Sequence, residues 1–313
     1  MKYSVVIPIY NDEEVIEELY KRVKTVMTDL KEIFEIIFID DGSRDSSFFR
    51  LKELYETDSR VKVIKQAKNF GQASSILAGL RYSSGEIIVI MDSDLQDRPE
   101  DIPVLIQELT SKNVSMSIAR WESRNDTIKK KIASWIFYSF SQKITSIKYD
   151  KGLGVFRAVK RSSVKELLDV PEITGTVLSL MYWSGISYSA VPLKRDKRFA
   201  GTSGYTLGKM LKLSAERIFS YSTFPIKMMT VTGFIVGFSS IIFAIFFIIR
   251  RFFFDKIPEG WTSIIVITSF LFGLNFIFLG LLGEYIGRIY LETKKRPKYV
   301  TELVLDSSKE DVQ

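Results

Sequence analysis

The chain has 313 residues, of which 46% are hydrophobic, 13% aromatic and 26% charged, with a formal net charge of +7. It contains neither cysteine nor histidine, which excludes disulfides, thiolate nucleophiles, Cys/His zinc sites, Ser-His triads and an imidazole general base. Any catalysis must rest on carboxylates, cations, backbone amides or an oxygen-ligated metal; the positive charge suits a membrane surface or an anionic substrate better than nucleic acid.

In chain order, Ser4–Ile7 is an apolar run too short for a signal-peptide core and is ended by Pro8, so the front of the chain is expected to stay where it is made. Tyr3–Ile9 reads as a buried strand, and Asp12–Leu30 places Val15, Ile16, Leu19, Val23, Met27 and Leu30 on one helical face. Glu35–Ile39 is a second strand, Ser47–Tyr55 a helix, Val61–Ile64 a strand and Gly71–Tyr82 a helix. Glu86–Met91 is an apolar strand, Pro99–Thr110 a helix opened by proline, and Ser115–Ala119 a further strand. This alternation predicts an α/β fold: an open, mostly parallel sheet with helices on both faces, with ligands beyond the carboxyl ends of its strands.

Met228–Ile249 and Thr262–Leu282 hold no charged residue in 22 and 21 positions, long enough for two membrane-spanning helices. Lysines and arginines flank the pair (Lys209, Lys212, Arg217 and Lys227 before, Arg288, Lys294, Lys295, Arg296 and Lys298 after) and are fewer between the spans. That bias predicts a multi-pass membrane protein with the front domain and both termini cytoplasmic. Thr206–Phe224 puts Leu207, Met210, Leu211, Ile218 and Tyr221 opposite Lys209, Lys212 and Glu216, the pattern of an interfacial helix, although an ordinary domain helix shares it. The expected organisation is a domain over 1–205, an amphipathic helix over 206–225, a two-helix hairpin over 226–290 and a tail over 291–313 whose last dozen residues fray.

Three polar clusters fall at predicted strand ends: Pro8–Asp12, Asp40–Ser43 and Asp92–Gln96. Asp92-Ser93-Asp94 sets two carboxylates one residue apart, a spacing at which both reach one hard divalent cation, Mg2+ or Mn2+, whose other positions could take a diphosphate. A polar exit from a strand has the same pattern. Asp40-Asp41-Gly42-Ser43 is an Asx-type turn or a carboxylate acceptor for a base N–H such as that of uracil. Pro8-Ile9-Tyr10-Asn11-Asp12 is a helix cap, an aromatic face with acceptors for base or ribose, or both. Dinucleotide and phosphate-loop glycine motifs are missing.

Together, Pro8-x-Tyr10-Asn11, Asp40-Asp41-Gly42-Ser43-x-Asp45, Asn69-Phe70-Gly71-Gln72 and Asp92-x-Asp94-Leu95-Gln96-Asp97-x-Pro99-Glu100 resemble a family 2 glycosyltransferase. Two apolar spans followed by Leu281–Tyr290 and Arg296-Pro297-x-Tyr299 are similar to its polyprenyl-phosphate branch, with the bactoprenol glucosyltransferases, undecaprenyl-phosphate aminoarabinose transferases and dolichyl-phosphate mannose synthases. The resemblance implies a GT-A-like fold in a metal-dependent enzyme, and transfer of a sugar, glucose first, from a UDP-linked donor to undecaprenyl phosphate for the cell envelope. It also implies a homo-tetramer. It places Asp92, Asp94 and Gln96 on the metal, Pro8, Tyr10, Asp12, Asp40, Asp41, Asp92 and Ser93 around the nucleotide sugar, and Arg120 near the diphosphate. Within that frame Arg195, Arg198 and Ser203, with Lys197, form an expected clamp for the lipid phosphate.

Three features depart from the family pattern, the first being Asn11-Asp12-Glu13-Glu14 where Asn-Glu-Glu is common after the tyrosine. A Gly-Asp-Phe-Arg segment, whose aspartate has been considered a base, reads Gly154-Val155-Phe156-Arg157, and the lysine of a later motif is Gly204. Asp150 is the nearest replacement carboxylate. These departures keep open a non-catalytic nucleotide-sugar-binding or scaffold protein. A processive polysaccharide synthase fits less well, because Arg120-Trp121 lacks a Q-x-x-R-W context and two spans make no channel.

Overall fold

The computed structural model describes residues 1–121, 152–168, 177–196, 224–253 and 260–307. The chain divides into two compact units: Met1–Gln142, Ile147–Thr206 and Arg296–Gln313 form the first, and Lys143–Ser146 with Leu207–Lys295 the second. Asp150, Arg198, Ser203 and the expected interfacial helix lie outside the described residues.

The first unit is built on one eight-stranded sheet. β1 (Tyr3–Ile9), β2 (Phe34–Asp40), β3 (Val61–Gln66) and β4 (Ile87–Ile90) are nearly continuous apolar runs, as strands covered on both faces require. Successive side chains alternate between two cores. Val5, Ile7 and Ile9 join α1 (Ile16–Asp29), α2 (Ser47–Thr57) and α4 (Ile102–Ser111) on one face. Val6, Ile37 and Ile39 join α3 (Gln72–Tyr82), α5 (Arg161–Leu168) and α6 (Val177–Trp183) on the other. α1 seats itself through Ile16, Leu19, Val23 and Met27, all buried at helical spacing.

Strand order is β7-β5-β6-β4-β1-β2-β3-β8, where β5 is Met116–Trp121, β6 Leu153–Lys160, β7 Tyr188–Leu193 and β8 Thr301–Leu305. The pairs β1/β2, β1/β4, β2/β3 and β5/β7 are parallel, whereas β6 runs antiparallel to β4 and β5, and β8 to β3. Two antiparallel steps through β6 restore the direction. The carboxyl ends of β1, β2, β4, β5 and β7 therefore share one edge of the sheet, which β6 reaches with its first residues.

The five strands and four helices expected in the front domain are present, with boundaries shifted by a few residues. α1 begins at Ile16 instead of Asp12, because residues 11–13 are held by Ser43, Asp45 and Ser47 after β2. Pro99 opens a 3-10 turn, Pro99–Asp101, before α4. β6, β7 and β8 were not expected. β7 carries Pro192, which an edge strand tolerates because its N–H is not needed in the ladder. The expectation that the chain from residue 302 frays is corrected over Thr301–Leu305. That segment pairs with β3 and is fastened by Lys65–Glu302 at 2.8 Å and by Asp306 to Lys62 at 3.0 Å.

The second unit contains α7 (Phe224–Phe253) and α8 (Trp261–Thr293). Within α8, Val266–Thr293 includes an 18-residue window of mean hydropathy 2.1 and is the one stretch among the described residues long and apolar enough to cross a membrane; α7 holds a shorter apolar stretch, Ile226–Ser239. Phe234, Phe238, Phe270 and Phe276 are all exposed, an apolar surface that water does not favour.

Candidate active site

The loops at the carboxyl edge are stitched to one another. After β1 the chain turns through Asn11 at φ 54°, a left-handed conformation that asparagine tolerates. Its N–H donates to Ser43 Oγ at 3.1 Å, and its Oδ1 accepts from Arg44 N at 2.8 Å. Asp12 N donates to Ser47 Oγ at 3.0 Å. The loop after β2 turns at Gly42 (φ 69°), where an added Cβ would meet the Lys68 backbone at 2.5–2.8 Å, so only glycine lets the second and third loops approach. Pro8 is buried near the end of β1, while Tyr10, just beyond the strand, is 41% exposed.

Asp40 and Asp41, adjacent in sequence, have different surroundings. Asp41 accepts from Phe70 N at 2.7 Å and Gly71 N at 2.8 Å, and so holds the loop that leads into α3. Asp40 is fully buried; Ser43 N donates to its Oδ1 at 3.1 Å, and its Oδ2 has no hydrogen-bond partner. Burial pushes both carboxyls above the usual carboxylate range, against the hydrogen bonds that lower them. A buried acceptor lacking a donor at the edge of a sheet suits a ligand N–H.

The Asp92–Asp97 loop is folded on itself. Gln96 N donates to Asp94 Oδ1 at 3.1 Å and Asp92 N to Asp97 Oδ2 at 3.3 Å. Between them Leu95, 2% exposed, takes φ 55°, a strained conformation for leucine that persists where surroundings enforce it. Ser93 donates to Asp12 Oδ2 at 2.6 Å, and Gln72 Nε2 donates to Asp92 Oδ1. Burial raises the Asp12 carboxyl, opposed by the Ser93 and Tyr10 N–H bonds. Burial pushes Asp97 up to about 6, with the Arg195 charge acting the other way.

Among the described residues no group of three or more Asp, Glu, His or Cys side chains is placed to hold a metal ion by itself. The donor set still fits a hard cation that shares its shell with a diphosphate: the carboxylates of Asp92 and Asp94 with the amide oxygen of Gln96, in one short loop.

Two arginines stand at the carboxyl ends of strands on this edge. Arg120 is exposed at the carboxyl end of β5. Arg195, two residues beyond β7, lies 3.8 Å from Asp92 Oδ2 and 3.7 Å from Asp97 Oδ1, with its guanidinium 5.4 Å from the Trp121 ring centre. The expected lipid-phosphate residue thus sits beside the expected metal carboxylates. Val155, at the place of the aspartate expected from the family pattern, packs against the core of the α3 face. Arg157 is 3% exposed and donates to the carbonyls of Val155 at 2.9 Å and Gly154 at 2.7 Å.

Gln72, Trp121 and Arg157 have no role in the reading of the sequence, and Asp97 only that of a further oxygen ligand beside Gln96. Gln72 and Asp97 belong to the motifs above, but nothing local indicates that Gln72 reaches Asp92 or that Asp97 turns inward. Trp121 and Arg157 acquire their places only through the pairing of β5 with β6.

The sequence matches the family described as Glycosyl transferase family 2 over residues 4–168. It is 37% identical over 302 residues to the uncharacterized glycosyltransferase YkcC of Bacillus subtilis, covering 96% of this chain and 94% of that protein. It is 36% identical over 307 residues to a prophage bactoprenol glucosyl transferase homolog of Escherichia coli (97% and 99% covered) and 35% over 302 residues to the bactoprenol glucosyl transferase of Shigella phage SfV (96% and 98%). Glucosyl-3-phosphoglycerate synthase from Mycobacterium tuberculosis, solved with Mn2+, UDP-glucose and phosphoglyceric acid, shares the fold with a TM-score of 0.51 at 17% identity over 70% of this chain and 77% of that one. The mostly parallel GT-A-like sheet, the polar loops along its carboxyl edge and near-full-length identity above one third lead to one conclusion: the chain is a glycosyltransferase that belongs to glycosyl transferase family 2, in the group of the bactoprenol glucosyl transferases.

Proposed function

We propose that this protein transfers a sugar, glucose first, from a UDP-linked donor to undecaprenyl phosphate, with inversion at the anomeric carbon, giving a lipid-linked donor for envelope glycans. The observation that carries this reading is the meeting of Asp92 and Asp94 with Asp12, Ser93 and the buried Asp40 at one sheet edge. Asp40 Oδ2 accepts the base N–H, Tyr10 offers its ring face, and Asp12 and Ser93 line the ribose side, with Pro8 and Asp41 shaping the pocket wall. Asp92, Asp94 and Gln96 would hold Mg2+ or Mn2+, which neutralises the leaving diphosphate. Arg120 supports the diphosphate, and Arg195, Arg198 and Ser203 bind the acceptor phosphate.

No enzyme base is required. A polyprenyl monophosphate has its second pKa near ~6 by analogy with phosphorylated side chains, so it is largely dianionic at neutral pH. One of its oxygens bonds to the anomeric carbon as the bond to the diphosphate oxygen breaks, and the electron pair leaves with the nucleotide. Val155 in place of aspartate is consistent with this, and leaves Asp150 an orienting role at most.

The relatives' names and the apolar α7 and α8 support a membrane setting. We read 1–205 as a cytoplasmic catalytic domain on the inner membrane, 206–225 as an interfacial helix, and 226–290 as a two-span hairpin. The tail, 291–313, returns to the catalytic sheet through β8; assembly as a homo-tetramer belongs to the same reading. Membranes containing the protein should convert one of a panel of labelled nucleotide sugars, with added undecaprenyl phosphate, into a butanol-extractable lipid. No labelled lipid from any donor, or retained anomeric configuration in the product, overturns the proposal.

A further inference from the structure

Arg195 stands in an unusual relation to the Asp92–Asp97 loop. Its Nη2 is 3.8 Å from Asp92 Oδ2 and its Nε 3.7 Å from Asp97 Oδ1. Those separations are ion pairs and not hydrogen bonds. Arg195 Nε and Asp97 Oδ1 are both buried, and neither has a hydrogen-bond partner. The backbone beside it is firmly held. Asp196 N donates to Gln96 O at 3.1 Å, Gln96 Nε2 reaches Asp196 O at 3.5 Å, and Arg98 pairs with Asp196 at 3.9 Å. The backbone is thus pinned to the carboxylate loop, while the guanidinium is kept there by charge and by the face of Trp121. Such a side chain can turn on a fixed base.

We propose that Arg195 is a cation-displaced link between the two substrate sites. Without a divalent ion its guanidinium balances Asp92 and Asp97. When such an ion binds Asp92, Arg195 is repelled from the carboxylates and becomes available to the acceptor's phosphate. The inference rests on reading Asp92 as a metal ligand and Arg195 as a phosphate contact. The incoming ion then compensates the buried Asp97 in place of the guanidinium, so no buried carboxylate loses its counter-charge. The consequence is order: metal and nucleotide sugar bind first, and only then does the phosphate clamp gain its arginine. An empty donor site keeps the clamp engaged elsewhere, so the lipid phosphate does not block donor entry.

The test uses the full-length protein in detergent without nucleotide. Mn2+ binding, read from the electron paramagnetic resonance signal of the free ion, is compared for wild type, Arg195→Ala and Arg195→Lys. Removing the competing cation should tighten Mn2+ binding about threefold or more, whereas Arg195→Lys, which keeps the charge, should stay near wild type. Equal affinity in wild type and Arg195→Ala overturns the inference alone. No saturable Mn2+ binding in any of the three overturns the metal reading beneath it.

Two further readouts separate movement from loss of charge. Mg2+ should change the tryptophan fluorescence of wild type as the guanidinium leaves Trp121, and this change should be absent from Trp121→Phe and Arg195→Ala; a wild-type signal indifferent to Mg2+ overturns the movement. Farnesyl phosphate should bind wild type at least threefold more tightly with Mg2+ and UDP than without, and Arg195→Ala should show no such gain; equal binding to wild type in both conditions overturns the link.

Discussion

The Ser93 hydroxyl donates to Asp12 Oδ2 at 2.6 Å, joining the loop after β4 to the loop after β1. This bond aligns the carboxylate pair of Asp92 and Asp94 with the loop of residues 8–12, and it partly offsets the burial that raises the Asp12 carboxyl. A hydrogen bond to a charged group contributes about 1.5–3 kcal/mol. Ser93→Ala should therefore lower kcat/KM for the nucleotide sugar about tenfold or more while leaving the circular dichroism spectrum unchanged. Equal kcat/KM in the two proteins would show that the bond has no part in the site.

On the proposed function, Asp94→Ala should cut turnover by orders of magnitude without loss of membrane insertion, because its carboxylate would be one of two hard ligands for the cation. Excess chelator should have the same effect on wild type, with recovery on adding Mg2+ or Mn2+. Undiminished transfer in chelator would remove the metal from the mechanism.

The unlike surroundings of Asp40 and Asp41 predict unlike mutants. Asp40→Asn replaces a buried acceptor with a mixed donor and acceptor where a base N–H is expected, so KM for the nucleotide sugar should rise about tenfold with little change in kcat. Asp41→Asn weakens two backbone bonds to Phe70 and Gly71. Its main effect should be a lower thermal midpoint. Steady-state kinetics and a melting curve on each variant distinguish the two roles.

Far from the site, Glu35 accepts from Ser4 Oγ at 2.5 Å, Ser84 N at 2.6 Å and Ser84 Oγ at 2.7 Å, and lies 3.0 Å from Lys62 Nζ. Burial acts to raise its pKa, but these partners outweigh it and hold the carboxyl below its ordinary value of 4.5. A folded pKa below the unfolded one gives stability that is complete above about pH 4.5 and is lost as pH falls further. Glu35→Gln should therefore melt below wild type at pH 7, and the gap should close under pH 4.5. A gap independent of pH would mean that Glu35 is retained for shape and not for charge.

Asp306 ties β8 to the sheet through Lys62 at 3.0 Å. Asp306→Asn should cost about 1–3 kcal/mol, since Lys62 keeps Glu35 but loses its second charged partner. Chemical denaturation with a catalytic-domain probe measures this, and an unchanged midpoint would make β8 a passive cover for the β3 edge.

By itself the sequence determined the alternation of strands and helices over the first 121 residues, the placing of three polar clusters at strand ends, and the exclusion of histidine and cysteine chemistry. These are local properties. A strand buried on both faces needs an unbroken apolar run, and a helix on a sheet needs an apolar stripe, so both can be read from a few neighbouring residues. The tertiary structure alone decided that Gly154–Arg157 is part of strand β6, that Pro192 belongs to an edge strand and that Thr301–Leu305 completes the sheet beside β3. It also decided that Asp41 holds a loop while Asp40 keeps an unpaired oxygen, and that Arg195 meets Asp92 and Asp97. Short segments of mixed polarity fit strand or loop equally well in isolation. Their state is set by which distant backbone pairs with them, and a side chain's role by which neighbour leaves its polar atoms satisfied.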